Sequence, residues 1–225
     1  MTVSVIVPVL NEEGGIGETL RRARQSRVRE IIVVDGGSTD QTRAVAQPLA
    51  DRVLSAPRGR AAQMNAGAER ANGDILLFLH ADTLVPEGFA AAVTAACKAP
   101  GVVGGRFDVD LTPSTPLLRL TGELMNWRSR LSRIATGDQA MFVRRDVFER
   151  MGGYANIPLM EDVELSRRLK DAGRIACLRQ RVTTSARRWQ AHGVMKTILL
   201  MWKLRALYFF GVSPVRLRRL YDDAR

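Results

Sequence analysis

Between residue 3 and about residue 110 short β-branched runs alternate with amphipathic stretches, a pattern that calls for βαβ units wound about a mainly parallel sheet. The runs Val3 to Val9, Ile31 to Val34, Arg52 to Leu54, Ile75 to Leu79 and Val102 to Val109 predict its strands. Between them Ile16, Leu20 and Ala23, and again Met64, Ala68 and Ala71, recur at i, i+4 and i+7, so each segment offers the sheet one apolar face. Gly73 is placed to stop the second of these helices. In such a fold ligands bind beyond the carboxyl ends of the strands. The residues found there are Asn11-Glu12, Asp35-Gly36-Gly37-Ser38 and His80-Ala81-Asp82.

Further along, residues 113 to 133 predict a helical connector with a polar, arginine-bearing face, and Thr136 to Phe142 returns to strand character and continues the site. A helix is expected from about Glu161 to Ala172, with Leu165, Leu169 and Ala172 on its inner face and Gly173 as its stop. A chain of 225 residues holds one sizeable core, which predicts a catalytic domain over residues 1–190 and a helical extension over 191–225. That extension is mostly apolar from Val194 to Val212, with Lys196 and Lys203 on one helical face and Arg205 on the opposite one. It is too interrupted to span a bilayer. Three fates are open to it: packing on the domain, a homodimer contact, or a peripheral membrane contact through 194–219 with Arg216, Arg218 and Arg219 near anionic headgroups.

A net charge of +11 calls for an anionic partner. No helix-turn-helix spacing, zinc finger or aromatic ribonucleoprotein motif accompanies it, so nucleic acid is not the expected partner, and phosphorylated small molecules or anionic lipid remain. Cys97 and Cys177 lie far apart and suggest neither a disulfide framework nor a zinc site. With an opening that lacks the character of a signal peptide, this predicts a cytoplasmic protein, with a peripheral place on the inner membrane face as the variant.

Four constellations carry chemistry. Pro8, Asn11 and Glu12 after the first strand, with Asp35, Gly37 and Ser38 after the second, supply carboxylates for ribose and base and a glycine backbone for close approach. No G-x-G-x-x-G or Walker pattern is present, which counts against dinucleotide and P-loop sites. His80 and Asp82, two residues apart after an apolar strand, are expected on one strand face around Ala81. Asp82 alone suffices for Mg²⁺ or Mn²⁺ when phosphate oxygens and water fill the remaining shell. Glu161 and Asp162 open a helix, where the N-terminal dipole favours a carboxylate, and Asp162 is the candidate general base. Arg58 and Arg60 ahead of Gln63 and Asn65, and Arg187 and Arg188 with Trp189 and His192, form two basic groups suited to diphosphate oxygens, with His192 a further candidate metal ligand.

Taken in order, Pro8-x-x-Asn11-Glu12, Val33-Val34-Asp35-Gly36-Gly37-Ser38-x-Asp40, Arg60-x-x-Gln63-x-Asn65-x-Gly67, His80-Ala81-Asp82 and Glu161-Asp162 resemble the family 2 glycosyltransferases over roughly residues 3 to 190. The resemblance implies a GT-A nucleotide-sugar-binding fold and inverting transfer from a nucleotide-diphosphate sugar to a hydroxyl acceptor, which could be lipid-linked. It further implies that Asp35 contacts the nucleobase, Asn11 and Glu12 lie near the ribose, Asp82 holds the metal, Asp162 is the base and Glu161 stands beside the acceptor. His80 replaces the first acid of the family's D-x-D motif, and Ser185 stands where processive members carry a glutamine, which argues against processive polymerisation. The rival readings are a nucleotidyltransferase, against which Leu10-Asn11-Glu12 stands in place of a glycine-rich basic loop, and a non-catalytic nucleotide-sugar-binding module.

Overall fold

The computed structural model describes residues 1–187 and 193–223. Its centre is an eight-stranded sheet in the order β3-β2-β1-β4-β7-β6-β8-β5, counted among the described residues. The parallel half comprises β1 (Val3–Val9), β2 (Glu30–Asp35), β3 (Arg52–Ser55) and β4 (Ile75–Phe78). Every residue of β1, β2 and β4 is buried, as runs covered on both faces must be. Beyond β4 come β7 (Phe142–Arg144), antiparallel to both its neighbours, β6 (Val102–Thr112) and β8 (Arg174–Ser185), which run parallel to each other, and the short antiparallel edge β5 (Thr83–Leu84). The mainly parallel α/β sheet expected from the sequence is therefore present.

Helices cover both faces. On one, α1 (Glu13–Arg24) buries Ile16, Leu20 and Ala23 together with β1 and β2, and α4 (Phe89–Lys98) adds Phe89 and Val93. On the other, α3 (Arg60–Glu69) buries Met64 and Ala68 beside Ile6 and Val34, joined by α6 (Arg145–Arg150) and α7 (Glu161–Ala172). A Cβ on Gly67 of α3 would stand 2.5 Å from a methyl of Ile6, so only glycine lets this helix seat so closely. A short α2 (Thr42–Ala46) links β2 to β3.

Three expectations need correction. Helix α3 ends at Glu69, before Gly73, whose backbone instead donates to Ser4 Oγ and leaves no room for a side chain against β1. Strand β4 ends at Phe78, and His80 to Thr83 form a turn closed by a hydrogen bond from Thr83 N–H to the His80 carbonyl, so His80 and Asp82 do not alternate along a strand. Ala172 is exposed at the end of α7, although Leu165 and Leu169 are buried and Gly173 ends the helix as expected.

Helix α5 (Pro116–Ser132) forms where a helical connector is predicted, and it turns its polar face inward. Its polar residues Thr121, Asn126 and Ser129 are buried, while Leu120, Leu124, Trp127 and Leu131 face outward. The cause lies in β6, where Arg106 and Asp108 are both buried side chains. They need polar partners. Arg130 pairs with Asp108, Arg106 donates to the Asn126 carbonyl, and the Asn126 amide both accepts from and donates to the backbone of Val109.

Two helices come after β8, α8 (Val194–Phe209) and α9 (Pro214–Asp223). They pack on the domain: Leu204 and Leu217 are buried with Met160 and Val163, and the Arg167 guanidinium lies 5.1 Å from the centre of the Tyr208 ring. Both cysteines are free, and among the described residues no helix is long and apolar enough to cross a membrane.

Candidate functional site

The loops after β1, β2 and β4 meet at one rim of the sheet. Asn11 adopts a left-handed backbone, φ 54°, and its carboxamide oxygen accepts from Thr39 N–H at 2.9 Å while its own N–H donates to Ser38 Oγ. The first two loops are thereby stitched together. Asp35 is buried and its carboxylate turns into its own loop, accepting from Ser38 N–H and Ser38 Oγ and approached by Arg43 at 3.4 Å. Gly37, at φ 96°, supplies the left-handed turn this wrapping requires.

Beside this rim a cavity of about 410 Å³ is lined by Pro8, Glu12, Arg58, Arg60, His80, Ala81, Asp82, Asp138, Glu161 and Asp162, among others. The residues just named come from five separate places in the chain. Asp35, Asn11, Gly37 and Ser38 stand at the same rim but outside the cavity lining. Asn65 is also outside it, with both ends of its amide taken by the backbone of Tyr154 at 2.9 Å. Gln63, to which the sequence assigns no separate role, lines the cavity and donates to the carbonyls of Val9 and Val34, tying the ends of β1 and β2 to α3.

The acidic pair sits on a strained start. Met160, the residue before α7, has φ 69°, a conformation that side-chain-bearing residues adopt only at a cost. Glu161 is buried and lies 3.9 Å from Arg60. Burial, and then the neighbouring Asp162, push its carboxyl above the usual carboxylate range, while Arg60 pulls it back. Asp162 accepts from Gly137 N–H at 2.9 Å through Oδ2 and from its neighbour Val163 N–H at 2.7 Å through Oδ1. Both oxygens are thus oriented, and each retains a lone pair for a further partner.

Asp138 has no signal of its own in the sequence. It reaches His80 Nδ1 at 3.3 Å from a 3-10 turn over Gly137–Gln139, which brings the segment expected to continue the site into contact with the β4 loop. Arg187, two residues past the end of β8, meets Glu12 at 3.3 Å. Arg188 and His192 lie outside the described residues. The far wall comes from the extension, with Lys196, Leu200, Leu204 and Arg205 of α8 and Arg218 and Tyr221 of α9. No sequence signal links those residues to this cavity, because only the return of the chain over α7 brings them there.

Among the described residues no three of His, Cys, Asp or Glu converge as a metal-binding group. A hard divalent cation needs only one or two protein carboxylates when phosphate and water complete its shell, and Asp82 on the cavity wall fits that requirement.

The model of the family described as glycosyl transferase family 2 matches residues 4–152. An undecaprenyl-phosphate 4-deoxy-4-formamido-L-arabinose transferase of Pseudomonas paraeruginosa is 33% identical over 147 residues, which is 59% of this chain and 41% of that protein. The chain thus spans about two fifths of the length of this relative. Among solved structures, the mannosyltransferase PcManGT from Pyrobaculum calidifontis, in complex with GDP-Man and Mn²⁺, superposes with a TM-score of 0.70 at 21% identity, covering 99% of this chain and 68% of that one. Glucosyl-3-phosphoglycerate synthase from Mycobacterium tuberculosis, in complex with Mn²⁺, UDP and phosphoglyceric acid, gives 0.60 at 20% identity over 80% of this chain and 69% of that one. At such identities the likeness is one of fold, and the fold is GT-A.

Proposed function

The chain belongs to glycosyl transferase family 2, and from that membership we propose that it moves a sugar from a nucleotide-diphosphate donor to a hydroxyl acceptor by one inverting displacement. The observation that carries this reading is the convergence of Asp82, Glu161 and Asp162 with Arg58 and Arg60 in one cavity at the carboxyl rim of the sheet. The acceptor hydroxyl attacks the anomeric carbon as its proton passes to Asp162. The bond from that carbon to the diphosphate oxygen breaks with its electron pair on oxygen, and the nucleoside diphosphate leaves. A single displacement needs one base and no enzymic nucleophile, so an α-linked donor gives a β-linked product.

Asp35, Asn11, Glu12, Gly37 and Ser38 form the nucleoside end of this reading, with Pro8, His80 and Ala81 along the donor. Asp35 reaches its ligand only if the base inserts beside a carboxylate already holding its own loop. Asp82 would hold Mg²⁺ or Mn²⁺, and such a cation neutralises charge on the departing diphosphate when bound. Arg60 has a guanidinium suited to the same oxygens and already balances Glu161. We assign Asn65 a positioning role, since its amide is taken by Tyr154. Arg188 and His192 stay with the donor and the metal as assignments from sequence. A lipid-linked acceptor is supported by the undecaprenyl-phosphate named for the Pseudomonas relative.

The test is a panel of nucleotide sugars screened for thermal stabilisation with and without Mn²⁺, followed by release of nucleoside diphosphate from any ligand found. A ligand at about 100 times its Kd adds about 2.7 kcal/mol to the folded state. Asp82→Ala should remove the Mn²⁺-dependent part of that gain. A panel without any metal-dependent stabilisation would defeat the reading.

A further inference from the structure

We propose that the outward faces of α5 and α8 form one surface that docks on an anionic lipid bilayer, which extends the contact expected at 194–219 into the middle of the chain. On α5, Leu117, Leu120, Leu124, Trp127 and Leu131 succeed one another at alternating spacings of three and four and are all exposed, Trp127 and Leu131 by 65%. On α8, Met195, Leu199, Trp202 and Phe209 follow at steps of four, three and seven and so share one face, and Trp202 is 63% exposed, with Phe210 beside Phe209 at 80%. Apart from Met1, the exposed large apolar side chains of the described residues all belong to α5, to α8 and the residue capping it, or to α9. Water-soluble helices place such stripes inward, whereas helices that lie in the bilayer interface keep leucine and tryptophan on the lipid side and lysine and arginine around them. The inward polar face of α5 makes its orientation a property of the fold, because Asn126 and Arg130 are bound to β6.

Charge selects the occupant. Helix α8 carries Lys203 on its outer side, with Lys196 and Arg205 at its border with the cavity and no acid, and α5 adds Arg119 and Arg128 against Glu123, Arg130 being turned inward to Asp108. Arg128 and Arg205 come close enough that Arg205, after burial itself, helps push the Arg128 guanidinium down to about 10, and one Arg128 nitrogen is buried without a hydrogen-bond partner. A second copy of the chain would stack this positive face upon itself. Anionic headgroups neutralise it, each cation near such a surface adding to the attraction.

This surface uses no residue assigned to donor or catalysis, so its failure leaves the glycosyl-transfer reading intact. The test is flotation of the full chain with vesicles of phosphatidylcholine alone or with one third phosphatidylglycerol. Binding should be at least about tenfold stronger to the anionic vesicles and should weaken with added salt. Tryptophan emission should shift to the blue and be quenched by brominated acyl chains. The pair Leu124→Glu and Trp127→Glu on α5, and separately Trp202→Glu on α8, should each cut binding about tenfold without changing the circular dichroism or donor turnover. Protein left at the bottom of the gradient with anionic vesicles overturns the proposal, as does flotation undiminished by the α5 changes or tryptophan left unquenched. A dimer in light scattering that Leu124→Glu dissociates assigns the face to a second copy and also overturns it.

Discussion

Replacing Asp162 with Asn separates the proposed catalysis from architecture, and the hydrogen bonds of this carboxylate set the size of the architectural effect. The carboxylate accepts one backbone N–H through each oxygen, from Gly137 and from Val163. An amide keeps one of those bonds with its oxygen and turns its NH₂ toward the other donor, so one hydrogen bond to a charged acceptor is lost. That costs about 1.5–3 kcal/mol. At about 2–4 °C per kcal/mol for a domain of this size, melting should fall by roughly 3 to 12 °C. Removing a general base lowers turnover by about 10² to 10⁴, or about 3–5 kcal/mol of barrier. The assay is release of nucleoside diphosphate from the donor found in the panel, measured well below the variant's melting temperature, with donor affinity taken from ligand-induced stabilisation. Turnover should collapse while donor affinity stays within about twofold, since the interaction lost acts in the transition state. A variant retaining more than about a tenth of wild-type turnover refutes Asp162 as the base. If Glu161→Gln shows the collapse instead, the proton goes to Glu161.

Two more outcomes are expected from the same geometry. Because burial and Asp162 raise the Glu161 carboxyl above its usual 4.5, its contribution to stability is complete below that value and is lost as pH rises through the folded one. The melting-temperature difference between Glu161→Gln and wild type should therefore move in favour of the variant as pH rises, and a difference independent of pH would contradict the burial argument. Gly67→Ala would drive a methyl to 2.5 Å from Ile6 and 3.0 Å from Val34, and overpacking of this kind costs about 1–3 kcal/mol. Thermal melts should show a loss of several degrees, and an unchanged melt would mean that α3 is free to shift on the sheet.

Features set by local period, or by the few residues at the end of a strand, are legible in the sequence. The strand ends, the inward face of α1 and the acidic start of α7 with its glycine stop all have signals within a few residues of themselves. The orientation of α5 does not. An apolar stripe at helical spacing looks the same whether it faces a core or a membrane, and the deciding residues here are the buried Arg106 and Asp108 on a strand before it. Asn65 escapes a sequence reading for a related reason: an amide can bind a ligand or a backbone equally well, and the backbone of Tyr154 is 89 residues away. Asp138 is equally silent, because its partner, His80, stands in another loop.

The seat of Met160 makes the extension more than an appendage. This residue holds its left-handed turn immediately before Glu161 and Asp162, and its side chain is clasped by Leu204 and Leu217 from the last two helices. A tilt of those helices, whether from lipid, from a neighbouring segment or from truncation after residue 190, would reach the start of α7 through Met160 and Val163, on either side of the two acids assigned to the proposed chemistry. Under the proposed function, the seating of the last two helices and the aim of Asp162 would vary together.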